Sequence, residues 1–227
     1  MRLKRIVEWL DRTLKVADFD DVSNNGLQVA REGEEVEKVA FAVDASVKAV
    51  RAAVKAGAQL LVVHHGISWG GGIRRIDGGV YNVVKAAMTA DLAIYACHLP
   101  LDAHPALGNN AQLAKLFKLR GVKPAFSYHG NVIGLIGVDA NGKTVGVCSG
   151  GAGEFAEEAK RLGCDVFVTG EASWGDVIAA ENIGMPMFCG GHYATEVFGV
   201  RAVSKAMKRA LKVQVHDLTE ELNETKS

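Results

Sequence analysis

Leu60-Leu61-Val62-Val63-His64-His65-Gly66 is an apolar run, too short for a helix, that stops on two adjacent histidines. The aliphatic and β-branched residues from Leu60 to Val63 predict a buried strand. His64 and His65 then sit at its carboxyl end. In open α/β sheets that edge is where ligands bind, and neutral imidazole is the commonest metal ligand at neutral pH. A buried strand has little structural reason to end this way.

Working outward, Val39 to Val43 predicts the preceding strand, and Ser46 caps a helix over Val47 to Ala56 that Gly57 stops. Upstream, Leu3, Ile6, Val7, Leu10 and Leu14 recur at helical spacing, and a turn-rich loop from Asp20 to Gly26 leads into a short strand at Leu27-Gln28-Val29. Downstream come a glycine-rich loop, Ser68-Trp69-Gly70-Gly71-Gly72, a helix from Val80 to Thr89 and a strand from Leu92 to Cys97. Ala111 to Phe117 reads as helical. Lys118 to Lys143 reads as a connector carrying one strand, Val132 to Val138, and an Asn141-Gly142 turn.

The pattern then starts again. Thr144 to Cys148 predicts a strand, Glu154 to Leu162 a helix, Val166 to Val168 a strand, Asp176 to Asn182 a helix and Met185 to Cys189 a strand. Both halves run β-α-β-α-β, and in both the third strand leads to a histidine with an acid four residues on, His98 with Asp102 and His192 with Glu196. An internal duplication is the simplest account. The expected fold is α/β, two similar lobes with helices outside the sheets, closed by a helix from Val197 to Leu211, a strand from Val213 to Val215 and a polar tail from Asn223 to Ser227.

Bulk properties exclude several classes of function. At 227 residues the chain can bury a full core. Lys+Arg and Asp+Glu are 26 each, so no net field favours nucleic acid or an anionic membrane, and no basic run exceeds Ile73-Arg74-Arg75. No apolar stretch reaches membrane-spanning length, and the amino terminus lacks the apolar core of a signal peptide. Cys97, Cys148, Cys164 and Cys189 have no paired spacing, as expected of buried thiols in a reducing, cytoplasmic compartment.

His64, His65, His98, Asp102, His192 and Glu196 are all nitrogen or carboxylate donors gathered at strand ends. Such a set suits zinc, iron, manganese, cobalt or nickel, and without organised thiolates it is no structural zinc knuckle. Five or six donors exceed the three of a typical catalytic zinc, which points to two divalent ions. Adjacent strand residues face opposite ways, so His64 and His65 suit two ions better than one. Two dications about 3.5–4 Å apart need a bridging anion, for which Glu196 and Asp102 are available. His192 and Glu196 would share a helix face. Pro100 disfavours a helix between His98 and Asp102, so a loop is expected to present that pair.

These residues lie in motifs that resemble the NIF-three-like proteins, a dinuclear-metal family whose members are often labelled GTP cyclohydrolase I type 2 homologues. The resemblance runs through Asn25-Gly26-Leu27-Gln28-Val29, Val63-His64-His65-Gly66, His98-Leu99-Pro100-Leu101-Asp102-Ala103-His104, Gly108-Asn109-Asn110-Ala111-Gln112-Leu113-Ala114, Thr169-Gly170-Glu171 and Gly191-His192-Tyr193-Ala194-Thr195-Glu196. It implies His64, His65, Asp102, His192 and Glu196 as metal ligands, with Glu196 spanning both ions and His98 close by. It also implies a homohexameric ring, a trimer of dimers. Residues 1–118 and 185–227 would form the metal-binding lobe and 119–184 the second repeat, effectively one NIF-three-like domain. The chain departs from many relatives in Gly66, where they have proline, in Leu99-Pro100, and in a short connector.

The function so implied is a metal-dependent hydrolase acting on a small nucleotide or a phosphorylated or heterocyclic substrate, with Glu171 or His98 carrying the proton. The alternative is a non-catalytic ring that buffers or delivers metal or docks a regulatory partner. Gly151-Ala152-Gly153 after a strand, with Glu171 ending the next, also matches a dinucleotide fingerprint weakly; phosphate contact by Gly150 to Gly153 is the better reading of that loop. Trp69 and Trp174 lie in glycine-flanked loops, where stacking on a base competes with core packing, the reading preferred here. His104, His129 and His216 read as surface or packing residues.

Overall fold

A computed structural model describes residues 1–223, and the polar tail expected from Asn223 onward falls, after Asn223, outside them. The chain begins with α1 (Leu3–Leu14), β1 (Gly26–Val29), β2 (Lys38–Asp44), α2 (Val47–Lys55) and β3 (Leu60–His65). Then come α3 (Gly78–Thr89), β4 (Ala93–Ala96), α4 (Leu99–Ala103), α5 (Asn109–Leu116), β5 (Arg120–Tyr128) and β6 (Asn131–Val138). The remainder is β7 (Thr144–Gly151), α6 (Ala156–Arg161), β8 (Val166–Glu171), α7 (Trp174–Asn182), β9 (Met187–Cys189), α8 (His192–Ala210), β10 (Gln214–Asp217) and α9 (Thr219–Asn223).

Contacts divide the chain into two units, 1–101 with 200–227, and 102–199. In the first, a five-stranded sheet has the order β1-β4-β3-β2-β10, parallel except for β1. Its central strands are apolar on both faces, as parallel strands covered by helices must be. Ala40, Ala42, Leu61, Val63, Ile94 and Ala96 pack on Ala49, Val50 and Ala53 of α2 and Val83 and Ala87 of α3. The alternate residues Phe41, Leu60, Val62 and Tyr95 are also buried, as are Ile6, Leu10 and Leu14 of α1. The Tyr95 hydroxyl donates to Asp11 Oδ1 at 2.7 Å, which ties α1 to β4. Ser46 Oγ accepts the Ala49 N–H at 3.0 Å and caps α2 as expected. In the parallel register of β2 and β3, Asp44 stands beside His65.

The second unit has the order β5-β6-β7-β8-β9, with β7, β8 and β9 parallel and β5 and β6 joined antiparallel. Leu113 of α5 packs on Val145, Val147 and Val168, and Phe126 meets Phe155 and Phe167 at ring distances of 5.8 and 5.2 Å. The two units therefore share a β-α-β-α-β core, β2 to β4 in one and β7 to β9 in the other, with identical strand order and different flanking strands. Two similar α/β lobes are the architecture that the repeat implied.

Two expectations need correction. The stretch from Lys118 to Lys143 is no connector, because β5 and β6 form a hairpin that supplies two strands of the second sheet. An exposed edge strand needs no apolar alternation and tolerates Pro124, so β5 leaves little periodic trace. Secondly, His98 and Asp102 are not joined by a loop: Pro100 lies in the first turn of α4, where a missing N–H costs nothing. The two compact units divide at 101/102 and 199/200. Helix α5 packs on the second sheet, which takes residues 102–118 with it.

Candidate metal centre

In the first unit the site starts from the carboxyl ends of β2, β3 and β4. His64 is fully buried and its Nδ1 donates to the Cys97 carbonyl, just past β4, at 2.9 Å. His65 Nδ1 donates to Asp44 Oδ1, at the end of β2, at 2.8 Å. His98 Nδ1 donates to Asp21 Oδ1 at 2.9 Å. Each imidazole is thus held through Nδ1 by an oxygen acceptor, which orients the ring and, in its neutral form, leaves the lone pair on Nε2, as outer partners of metal-ligating histidines do.

The three rings form one cluster. Their centroids are 4.6 Å apart for His64 and His65, 5.1 Å for His64 and His98, and 5.7 Å for His65 and His98. One ring nitrogen from each lies within 4.8 Å of the others. The expected splaying of His64 and His65 to opposite sheet faces does not hold at the strand end. The two rings are tied instead to β4 and β2, the neighbours on either side of β3.

Asp21 is the anchor that sequence reasoning missed. Its buried carboxylate accepts from His98 Nδ1, Asn25 Nδ2 and the N–H groups of Ser23 and Leu99. Burial pushes its pKa up, but the bonds from His98, Asn25 and Ser23 outweigh that and hold it at about 2. Gln28 supports the loop after the histidines. Its Oε1 accepts the N–H groups of Ile67 and Ser68 at 2.7 and 3.2 Å. A Cβ at position 66 would overlap the Gln28 amide and Ala96, so Gly66 is required by that contact.

The second unit brings together Asp102, Glu171, His192 and Glu196. His192 opens α8, and its Nδ1 and Nε2 lie 3.0 Å from Glu171 Oε1 and 3.2 Å from Glu196 Oε1. The expected helix face for His192 and Glu196 is present. Asp102 Oδ1 accepts from Asn109 Nδ2 at 2.9 Å and Ser149 Oγ at 3.0 Å. Asp102 and Glu196 are 6 and 2 % exposed, and a carboxylate oxygen of each lies within 4.8 Å of the other. Two buried anions so close require a cation or a shared proton. Glu171 is the exposed member, at 63 %, and acts on His192 rather than standing apart from the cluster.

The glycine loop is spoken for. The N–H groups of Ser149, Gly150 and Ala152 donate to Asn110 Oδ1, Thr195 Oγ1 and Thr169 Oγ1 at 2.7, 3.1 and 3.1 Å. Gly150, at φ +69°, has no room for a Cβ because Glu196 Oε1 occupies that space. These glycines admit a carboxylate, which explains them without a dinucleotide. Glu171, which ends the next strand, contacts His192 at 3.0 Å.

Other expectations fare unevenly. Trp69 and Trp174 are not core residues, with exposures of 38 and 77 %; Trp174 begins α7, capped by Ser173. Cys97, Cys148 and Cys164 are buried as expected, and Cys189 is exposed. Burial raises the Cys148 and Cys164 thiol pKa values, with Asp102 the next cause at Cys148 and Asp165 at Cys164. His104 has the expected packing role, its Nδ1 accepting the N–H groups of Ala106 and Leu107 at 3.1 and 2.9 Å. No helix among the described residues is long and apolar enough to cross a membrane.

Known proteins are similar to this chain over nearly its whole length. A protein of Pyrococcus horikoshii named a GTP cyclohydrolase 1 type 2 homolog is 38 % identical over 92 % of this chain and 94 % of its own. An Escherichia coli K12 protein of the same name is 34 % identical over 90 and 92 %. Among solved structures, the protein ybgI, described as of unknown function, superposes with a TM-score of 0.83 at 31 % identity over 96 and 98 % of the two chains. Reduced HcgD from Methanocaldococcus jannaschii gives 0.85 at 25 % over 96 and 98 %. The pattern of one family covers residues 1–141 and 128–224, and the chain belongs to that family, Duf34/NIF3 (NGG1p interacting factor 3).

Proposed function

We propose that the protein is a dinuclear metal-dependent hydrolase of a small phosphorylated or heterocyclic substrate, with His64, His65, Asp102, His192 and Glu196 as ligands of two divalent ions. The observation that carries this reading is the histidine cluster, in which three rings are fixed through Nδ1 with their ring nitrogens converging. The buried Asp102 and Glu196 carboxylates supply the negative charge that such cations need. Imidazole and carboxylate together fit zinc, iron, manganese, cobalt or nickel.

A pair of divalent ions bound there would supply Lewis acidity and lower the pKa of a water towards neutrality. The chain's own residues do the rest. Asp44 and Glu171 orient His65 and His192, and Glu196 would contribute its carboxylate to the ions. His98, paired with an Asp21 that stays ionised, is placed to carry the proton. Glu171, the other proposed proton carrier, also holds His192 through its carboxylate.

The protein is further proposed to work in the cytoplasm as a homohexameric ring. Three buried thiols suit a reducing compartment, and the exposed Trp174 and Phe188 of the second unit suit a subunit contact.

Elemental analysis of the purified chain, of His65→Ala and of Glu196→Gln, combined with nucleotide and phosphoester assays, tests the reading. About two metal equivalents per wild-type chain, lost with turnover in both variants, are expected. Turnover that survives complete chelation overturns it. Metal retained with no turnover on any substrate class overturns the hydrolase and leaves a metal-binding ring.

A further inference from the structure

We infer that Trp69 is the stacking wall of a subsite for a planar heterocycle carrying a phosphate, beside the histidine cluster; the inference rests on the proposed centre and names the substrate class it serves. A tryptophan normally buries its ring, yet this indole is 38 % exposed and still fixed. Its Nε1–H donates to the Gly66 carbonyl at 3.0 Å. The backbone around it is pinned from three sides. Trp69 pairs with Ser23 across an isolated antiparallel bridge. The Gly70 N–H donates to Val22 O at 2.6 Å, and Asn24 Nδ2 donates to Ser68 Oγ at 2.8 Å.

The ring stands edge to face on His98, with centroids 5.1 Å apart at 74°, and 6.0 Å from His65. An aromatic surface held rigid before any ligand arrives loses little entropy on binding, and every heterocycle offers a π-face to it. The cation for the phosphate lies in the same loop. Arg74 Nη2 lies 3.8 Å from where a Cβ on Gly71 would stand, two residues after the indole. A guanidinium recognises phosphate bidentately. The three residues between Trp69 and Ile73 are glycines, so the loop can adjust this distance to the ligand.

The chain has three tryptophans, so Trp9→Phe with Trp174→Phe leaves Trp69 as the only indole. In that background, loaded with metal, GMP is expected to quench the fluorescence saturably and ribose 5-phosphate to leave it unchanged. By calorimetry, Trp69→Ala is expected to weaken GMP binding about tenfold, with Trp69→Phe close to wild type. Arg74→Ala is expected to weaken GMP by a similar factor and to spare guanosine. Absence of quenching by GMP, or equal GMP affinity in Trp69→Ala, overturns the subsite. Titration with Ni²⁺ alone reports the centre separately. Quenching by Ni²⁺ with none by GMP sinks only the subsite, whereas no response to Ni²⁺ sinks the centre beneath it.

Discussion

Asp21 shows how one buried carboxylate fixes the orientation of a histidine. It accepts four hydrogen bonds, from two side chains and two backbone N–H groups, and the result is a carboxyl group whose pKa falls from 3.8 to about 2 despite burial. A carboxylate whose folded pKa lies below its unfolded value stabilises the fold fully above the unfolded value and loses that contribution as pH falls through the folded one. Its share of stability is therefore complete above about pH 4 and vanishes towards pH 2. Asp21→Asn should cost about 1–3 kcal/mol near neutrality. The gap between wild type and variant in urea melts should then close as the buffer is taken from pH 6 down through that window. A gap that stays constant would mean that the charge of Asp21 contributes nothing to stability.

At the scale of elements, the carboxyl end of β7 and the first turn of α8 meet through Gly150. A side chain there would adopt φ +69° and strike Glu196. Gly150→Ala is expected to cost about 2–4 kcal/mol, combining left-handed strain with overpacking, and to reduce bound metal. Gly142 is the control, since it shares a positive φ, +81°, in open space. Gly142→Ala should cost about 1 kcal/mol with metal content unchanged, measured by thermal melts and elemental analysis. Equal effects in the two variants would remove the special role of the Gly150 contact.

These elements were unequally legible in the sequence. The helices α1 and α2 and the strands β2 and β3 carry their own period or apolar run, and the histidines at the end of β3 announce a site by position alone. Edge strand β5 and helix α4 were hidden, one because exposure removes alternation and the other because Pro100 disguises a first turn. The supports of the site were hidden for a different reason. Asp44 meets His65 through parallel register, and Asp21 reaches His98 across 77 residues of sequence. Such partners are chosen by topology, and no local spacing records them.

At the scale of the whole molecule, the proposed ligands come from both units, His64 and His65 from one and Asp102, His192 and Glu196 from the other. The chain passes between the units inside α4 and inside α8, the helices that carry Asp102 and the His192–Glu196 pair. A cation that binds only the folded arrangement stabilises it by mass action, by about 2.7 kcal/mol at a hundredfold excess over Kd. For a chain of this length that corresponds to a rise in Tm of about 5–10 °C. Calorimetry of the metal-loaded protein before and after exhaustive chelation should show a drop of this size. The double variant His65→Ala, His192→Ala should melt near the chelated temperature and ignore the chelator. Each single variant should lose most of the effect. A full metal-dependent rise kept in the double variant would overturn the proposed ligand set.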